Sequence, residues 1–239
     1  ALGPVSLESL LAGDDRRGYD VIGLSIYSSF DHLKCEAIAA IAREQWPRAV
    51  IVCGGYQPSA RPAGYVAEDG HFDVGSFEHA IQVVTTAQDI LVGGSDYPTD
   101  KIAEMTAASR DIGLGYTNLG ACPMALGFPY DSDQGRAWAA AVTGILTGSA
   151  AQRTTLLAER LGPAPLFHDD RAAWAGVYDL HLDAAGQVDT VAGQPELNER
   201  LVALWEHAAK EVRRVGARNA ELTVAAPTGT ISFMMGADT

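Results

Sequence analysis

A short segment near the end of the sequence combines residue types that bind phosphate. Pro227 is followed by Thr228, Gly229, Thr230 and Ile231, directly after an apolar stretch and where a helix is predicted to begin. The free amides of a helix start and the threonine hydroxyls can donate to phosphate oxygens, and glycine allows close approach. The segment therefore predicts a phosphate site. The alternative is an ordinary turn between a strand and a helix, capped by a threonine.

A second group of small residues stands where two predicted strands end. Ser25 closes the apolar run VIGLS, and Gly54 and Gly55 follow the apolar run AVIVC. Both runs are typical of buried parallel strands. Ligands bind at the carboxyl ends of such strands, so these three residues predict a ligand surface. The alternative is a strand that ends in serine beside a glycine turn.

The three cysteines and six histidines give little support to metal or redox chemistry. Cys35, Cys53 and Cys122 are widely spaced and no pair has metal-site spacing, so we expect buried, reduced thiols and no metal ligands. No histidine has an i,i+4 partner with ligand chemistry. Solvated or packing roles are therefore expected for all of them: His32, His71, His79, His168, His181 and His207.

Two further features admit a functional and a structural interpretation. The string GLGYTNLG at 113–120 suggests a dinucleotide loop, but no strand precedes it, so close helix packing through glycine is expected instead. Arg218 precedes the strand that leads to the phosphate segment. It either orients that segment or pairs with a helix end, and the second interpretation is favoured because a single basic residue beside a turn is common.

The elements that would position these residues fall into two dissimilar parts. In residues 1–66, a helix at 5–12 precedes a strand, a helix from about His32 to Trp46 and a second strand, which together form a right-handed βαβ unit. Residues 67–239 are predicted to be mainly helical. Helices are expected at about 74–92, 98–112, 116–126, 131–161 and 195–215, with a loop-rich region at 163–194 and a strand at 220–226. The apolar stripe of the longest helix is Trp138, Ala141, Val142, Ile145 and Leu146.

Composition and charge limit the classes of function. The chain has 239 residues, of which 47% are hydrophobic and 20% charged, so it is typical of globular proteins. The formal net charge of −13 disfavours binding to nucleic acid. No apolar run approaches the roughly 18 residues of a membrane span, and no secretion leader is visible. A cytoplasmic protein with no membrane partner is therefore expected.

The second part closely resembles the adenosylcobalamin-dependent (class II) ribonucleotide reductases. The resemblance rests on FDVGSFEHAIQVVTTAQDILVGGSDYPTDKIAEMTAASRDIGLGYTNLGA, MALGFPYDSDQGRAWAAAVTGILTGSA and RNAELTVAAPTGTISFMM, which occur in the family's order. Together they cover about residues 68–162 and 216–235. Cys122-Pro123 stands where the family usually has aliphatic residues, and Gly236-Ala237 replaces its Asp-Cys.

This resemblance implies a function and a substrate site. The family reduces ribonucleoside di- or triphosphates to deoxyribonucleotides by thiyl-radical chemistry that adenosylcobalamin starts. Its substrate diphosphate is held by the loop that corresponds to Thr228, Gly229, Thr230 and Ile231. The family's Asn-Pro-Cys-Ser-Glu loop does not occur in this sequence. We therefore expect no catalytic residue in this sequence and no activity of the chain when it is alone. The resemblance also makes a homodimer one expected assembly of the full-length protein.

The first part resembles the cobalamin-binding domain in front of radical SAM enzymes. The matching stretches are YDVIGLS, DHLKCEAIAAIAREQWP and IVCGGYQPSARP. The resemblance implies that Ser25, Gly54 and Gly55 lie against the nucleotide tail of cobalamin. The Asp-x-His-x-x-Gly loop of base-off binders is absent, since Asp31 and His32 are adjacent. Any binding is therefore expected to be base-on or without a histidine ligand.

The fold predicted from both parts is α/β. A truncated flavodoxin-like, Rossmann-like βαβ segment at 1–66 precedes a mostly helical section of the ribonucleotide reductase α/β barrel at 67–239. The predicted function is vitamin B12-dependent ribonucleotide reduction. The alternatives are a cobalamin-binding module of a radical SAM enzyme without reductase activity, and a chimeric fragment that folds only in part.

Overall fold

The structure is a computed structural model that describes residues 21–26 and 50–55 as backbone, and residues 71–227 and 229 in full. Strands β1 (Val21–Ile26) and β2 (Val50–Gly55) pair in parallel. Both lie where the sequence predicts strands. The helices predicted at 5–12 and 32–46 lie outside the described residues, so the flavodoxin-like segment stays a prediction. Among the described helices, none is long and apolar enough to span a membrane.

Six α-helices follow in residues 71–227: α1 (Val74–Gly94), α2 (Asp100–Ser109), α3 (Ala121–Ala125), α4 (Asp133–Leu161), α5 (Arg171–Ala185) and α6 (Pro195–Val215). A short 3₁₀ helix covers Pro165–His168. Helix α1 begins as predicted, because the side chain of Asp73 accepts a hydrogen bond of 2.9 Å from the amide of Ser76. Ser132 caps α4 in the same way through the amide of Gly135 at 3.0 Å.

The core lies where α4 packs against α6 and α1, and α5 packs against α6. Trp138 and Ile145 are 1% and 0% exposed, and the whole predicted stripe of α4 is buried. Leu197, Leu201, Leu204 and Val212 of α6 pack against it at helical spacing. The predicted buried stripe of α4 and the predicted helix α6 are therefore confirmed.

The predicted helix at 116–126 is wrong for most of its length. Only Ala121–Ala125 is helical, and the residues before it form a bend and a turn in which Asn118 is left-handed with φ 65°. Helix α2 also ends earlier than predicted, at Ser109, because Arg110 adopts a left-handed backbone with φ 54°. The left-handed Arg110 terminates the helix and turns the chain into the extended segment at 112–114.

The prediction of a loop-rich region at 163–194 is also wrong, because this region contains the 15-residue helix α5. The side chain of Asp170 accepts from the amide of Ala173 at 2.9 Å and so caps its first turn. Trp174, Tyr178 and Leu182 follow at i, i+4 and i+8 and pack toward the core. This signal was present in the sequence.

The strand predicted at 220–226 is an extended segment that pairs with 112–114 and forms only one parallel bridge, Leu114 to Thr223. The amides of Ile112 and Leu114 donate to the carbonyls of Glu221 and Leu222 at 3.0 and 2.9 Å. The amide of Val224 donates to the carbonyl of Leu114 at 2.9 Å. The two segments run side by side, and the second one leads directly to Pro227.

Candidate phosphate-binding segment and its buried anchor

The predicted phosphate segment is described at two positions. Pro227 is exposed and outside any strand, and Gly229 is exposed and helical. Thr228, Thr230 and Ile231 lie outside the described residues. Among the described residues, no atom lies within 4 Å of the position that a Cβ on Gly229 would take.

The predicted cofactor residues lie together in the backbone of the strand pair. Ser25 is the register partner of Gly54, and Ile26 is the partner of Gly55. All of them are at the carboxyl ends of β1 and β2. The side chains of this pair are outside the described residues, so the contacts of Ser25 remain a prediction.

Two glycines bring the extended segments into close contact. A Cβ on Gly115 would lie 2.7 Å from the carbonyl oxygen of Val224, and one on Gly113 would lie 3.1 Å from Cγ1 of the same residue. Side chains at these positions would force the segments apart. The prediction of close packing through glycine is thus right in its cause, but the neighbour is an extended segment and not a helix.

A buried carboxylate joins the starts of both segments to α1. Asp89 is 3% exposed, and its Oδ1 accepts from Nε of Arg110 at 2.9 Å. Its Oδ2 accepts from Nε of Arg218, also at 2.9 Å. Arg110 also donates from Nη2 to the carbonyl of Asp89 at 2.8 Å. One carboxylate therefore pairs with two guanidinium groups, of which one stands at the start of each extended segment.

Asn219 completes this cluster and uses all of its side-chain polar atoms. Its Nδ2 donates to Oδ1 of Asp89 at 3.0 Å and to the carbonyl of Arg110 at 2.8 Å. Its Oδ1 accepts from the hydroxyl of Thr154 at 2.8 Å. The same hydroxyl oxygen accepts from the amides of Arg218 and Asn219 at 3.0 and 2.9 Å. We call Asp89, Arg110, Thr154, Arg218 and Asn219 the buried anchor.

The structure shows the helix-end contacts of Arg218. Its Nη1 donates to the carbonyls of Leu161 and Gly162, at 3.3 and 3.0 Å, where α4 ends. Pairing with a helix end is therefore confirmed, and the pairing with Asp89 adds to it. The roles of Asp89, Arg110 and Thr154 were not predicted from the sequence. Asp89 lies at i+8 from the buried Ile81, so its position on the inner face of α1 could be predicted from the sequence. Its partners could not.

Cys122 is buried in α3, and burial raises the pKa of its thiol to about 11. A thiol in that state is a weak nucleophile, in agreement with the expected inert thiol. Cys35 lies outside the described residues, and only the backbone of Cys53 is described. In the described part of the chain, no group of three or more His, Cys, Asp or Glu residues could hold a metal ion.

A cleft of about 410 Å³ opens between α4, α5 and α6 beside the residues that follow the first extended segment. The hydroxyls of Tyr116 and Thr143 lie 3.0 Å apart at its wall. The ring of His181 stacks on Trp205 with centroids 4.4 Å apart, and burial lowers the pKa of His181. Most other lining residues are small or aliphatic, so the cleft presents a mainly apolar surface with few polar groups.

The described part of the chain is mostly helical and contains a pair of extended segments, the second of which leads toward Pro227. The family model described as "Ribonucleotide reductase, barrel domain" matches residues 58–239. The chain belongs to this family.

Curated relatives carry the same family name. The chain is 40% identical over 175 residues to the vitamin B12-dependent ribonucleotide reductase of Rhodopirellula baltica, covering 73% of this chain and 17% of that protein. It is 41% identical over 172 residues to the enzyme of the same name from Streptantibioticus cattleyicolor, covering 70% and 28%. The vitamin B12-dependent ribonucleoside-diphosphate reductase of Mycobacterium tuberculosis is 29% identical over 168 residues, covering 70% and 19%.

The matches confirm the resemblance of the second part to reductases of this class. The chain spans 17–28% of the first listed relatives' own length. The alternative of a cobalamin module from a radical SAM enzyme receives no support from them.

Proposed function

We propose that this chain is a barrel segment of an adenosylcobalamin-dependent ribonucleotide reductase. The full protein would reduce ribonucleoside di- or triphosphates to deoxyribonucleotides for DNA synthesis in the cytoplasm, without binding nucleic acid or a membrane, and a homodimer is its proposed assembly. The observation that carries this proposal is the paired extended segment at 220–224, which runs from the buried anchor to Pro227 and the helical Gly229.

The substrate phosphates are assigned to Thr228, Gly229, Thr230 and Ile231. The exposed Pro227 and the helical, exposed Gly229 support this assignment, because backbone amides at a helix start can donate to phosphate. Amides at a helix start carry about half a positive charge between them, which attracts an anion. The net charge of −13 opposes the attraction, so we expect weak binding by this chain alone.

The cofactor is assigned to the first part. We place the boundary between the cobalamin-binding-like, flavodoxin-like segment and the reductase segment at residue 66. Ser25, Gly54 and Gly55 would hold the nucleotide tail of adenosylcobalamin, which supplies the radical chemistry when bound. The parallel register that sets Ser25 beside Gly54 at the ends of β1 and β2 supports a ligand surface there. No metal ligand is assigned, since cobalt arrives within the cofactor.

Nucleotide titration followed by NMR tests the phosphate assignment. The amide signal of Gly229 should move on addition of CDP or CTP and stay in place with cytidine, which has no phosphate. Thr228→Val and Thr230→Val remove the hydroxyls while keeping the side-chain shape, and each should weaken binding severalfold. Thr190→Val, at an exposed threonine outside the segment, is the matched control. Equal shifts with cytidine, or no effect of the two valine variants, would contradict the assignment.

Absorbance of the purified chain mixed with adenosylcobalamin tests the cofactor assignment separately. The cofactor should be retained on gel filtration, and Gly54→Val should release it by filling the space at the end of β2. Gly176→Ala lies in α5, where a Cβ meets nothing within 4 Å, and should leave retention unchanged. Retention that is equal in both variants would exclude the strand ends as the cofactor surface.

A further inference from the structure

We propose that the buried anchor is a positioning device for the phosphate segment. It rests on the proposed function, because it acts on Thr228–Ile231 only through the extended segment 220–224. The anchor would set where this segment begins relative to α1 and α4. The phosphate-binding amides would then be presented in one place without rearrangement.

The charges of the anchor favour a single arrangement. Asp89 lies between Arg110 and Arg218, whose side chains are 11% and 17% exposed, and all three are largely removed from water. A buried charge that loses its partner is costly, so a displaced guanidinium would leave an unpaired carboxylate behind. Both extended segments are therefore held at their starts by the same group.

The hydrogen bonds of Asn219 fix the direction of the second segment. Its side-chain amide and carbonyl are both occupied by protein groups, and the residue is 1% exposed. Rotation of this side chain would leave buried donors and acceptors unpaired, which costs free energy. Thr154 of α4 holds the adjacent backbone through two amides. The backbone thus leaves the anchor in one orientation.

The orientation is carried along the chain by the paired segments. Beyond Asn219, the amide of Ala220 donates to the carbonyl of Ser109 at 2.9 Å, and the contacts of Leu222 and Val224 with Leu114 follow. The carbonyl oxygen of Val224 lies against Gly115, which admits no side chain there. A shift at the anchor would be passed along the segment as far as Val224, three residues before Pro227, because these bonds join the segment to a neighbour that starts at the same anchor.

A second ion pair, in which the carboxylate is buried and the guanidinium is partly exposed, provides a control. Glu78 of α1 is 8% exposed and accepts from Nε and Nη2 of Arg200 in α6 at 2.5 and 2.7 Å. These bonds join α1 to α6 and do not involve residues 219–227. Glu78→Gln therefore weakens this ion pair while leaving the anchor in place.

The experiment compares Thr154→Val with Thr154→Ser. Valine keeps the shape of threonine and removes the hydroxyl, whereas serine keeps the hydroxyl. Hydrogen exchange is measured at the amides of Leu114 and Val224, and the dissociation constant for inorganic pyrophosphate is measured from the Gly229 amide shift. Arg218→Lys is a second variant, which keeps the charge but loses the planar guanidinium group. Because Arg218 is partly exposed, this variant can still test the role of the anchor if Thr154→Val does not fold.

Thr154→Val and Arg218→Lys should speed exchange at both amides and raise the pyrophosphate dissociation constant at least about fivefold, the factor for one hydrogen bond of typical net strength. Thr154→Ser and Glu78→Gln should stay within about twofold of the unsubstituted chain. Unchanged amide exchange or unchanged pyrophosphate affinity in Thr154→Val and Arg218→Lys would overturn the inference. An equal loss of pyrophosphate affinity in Glu78→Gln would overturn it as well. If the unsubstituted chain does not bind pyrophosphate, the phosphate site of the proposed function fails, and the exchange data alone decide whether the anchor holds the segment.

Discussion

The side-chain amide of Asn219 donates to the carboxylate of Asp89 at 3.0 Å, across 130 residues of sequence. This bond joins helix α1 to the extended segment that ends at the proposed phosphate site. Since the same carboxylate also holds Arg110 and Arg218, two distant parts of the chain meet at one buried charge. The stability of the fold and the presentation of the candidate site therefore depend on the same residue.

Asp89→Asn should lower the free energy of unfolding by about 3 kcal/mol, because it leaves two guanidinium groups in the interior without a counter-charge. Asp179 is the control, since it pairs with Arg213 at the surface with side chains 46% and 48% exposed. Asp179→Asn should cost far less, because exposed ion pairs are screened by solvent. Urea denaturation measures both, and equal losses would show that the anchor is not a buried charge cluster.

Gly115→Ala should lower the free energy of unfolding by about 1–3 kcal/mol, because its Cβ would lie 2.7 Å from the backbone carbonyl oxygen of Val224. Gly176→Ala should instead stabilise the chain by about 0.5–1 kcal/mol, since alanine is the better helix former and the space is open there. Thermal unfolding of the two variants measures the difference. A Gly115→Ala chain as stable as the unsubstituted one would mean that the extended segments are not in close contact.

The period of the apolar residues predicted much of this fold, because burial of one helix face leaves a regular mark on the sequence. Trp138 and Ile145 mark α4, and Asp73 marks the start of α1, as predicted. The same reasoning could have found α5 from Asp170 and Trp174. It was missed because glycine and proline around the region suggested loops.

The buried anchor could not be predicted in this way. Asp89 and Arg110 are charged residues whose burial depends on partners far away in the sequence. No local sequence pattern identifies those partners. The glycines at 113 and 115 indicated a close approach, but not the segment that approaches. The phosphate segment stays a prediction, which the sequence allows because its residue types act locally, through a helix start and two hydroxyls.

Cys122 should resist thiol reagents in the native chain. With its pKa raised to about 11 by burial, about one thiol in a thousand is ionised at pH 8. Labelling is measured in a Cys35→Ser, Cys53→Ser chain, where this is the remaining thiol, and denaturant should make it react fully. The stabilisation from the protonated thiol should be lost as the pH rises above the unfolded value of about 8.5. Labelling at the same rate with and without denaturant would contradict the burial.

His181 should make the chain less stable at acid pH. Burial lowers its pKa below the unfolded value of about 6.5, so the unfolded chain binds the proton first as the pH falls. Stability from the neutral ring is therefore present above pH 6.5 and declines below it. His181→Phe keeps a ring against Trp205 without the titration, and the difference in melting temperature between pH 7 and pH 5 should shrink. An unchanged difference would assign the acid sensitivity to other groups.

Exchange of the segment into a relative tests directly whether this chain is a barrel segment of a ribonucleotide reductase. The matching 175 residues of the Rhodopirellula baltica reductase are replaced by the corresponding stretch of this chain, and deoxyribonucleotide formation is measured with adenosylcobalamin and a dithiol. Circular dichroism and nucleotide binding establish that the hybrid is folded. The account predicts turnover that requires adenosylcobalamin and falls at least about tenfold, the factor for about 1.4 kcal/mol, in the hybrid with Thr228→Val and Thr230→Val. A folded hybrid that forms no deoxyribonucleotide above the enzyme-free background would contradict it.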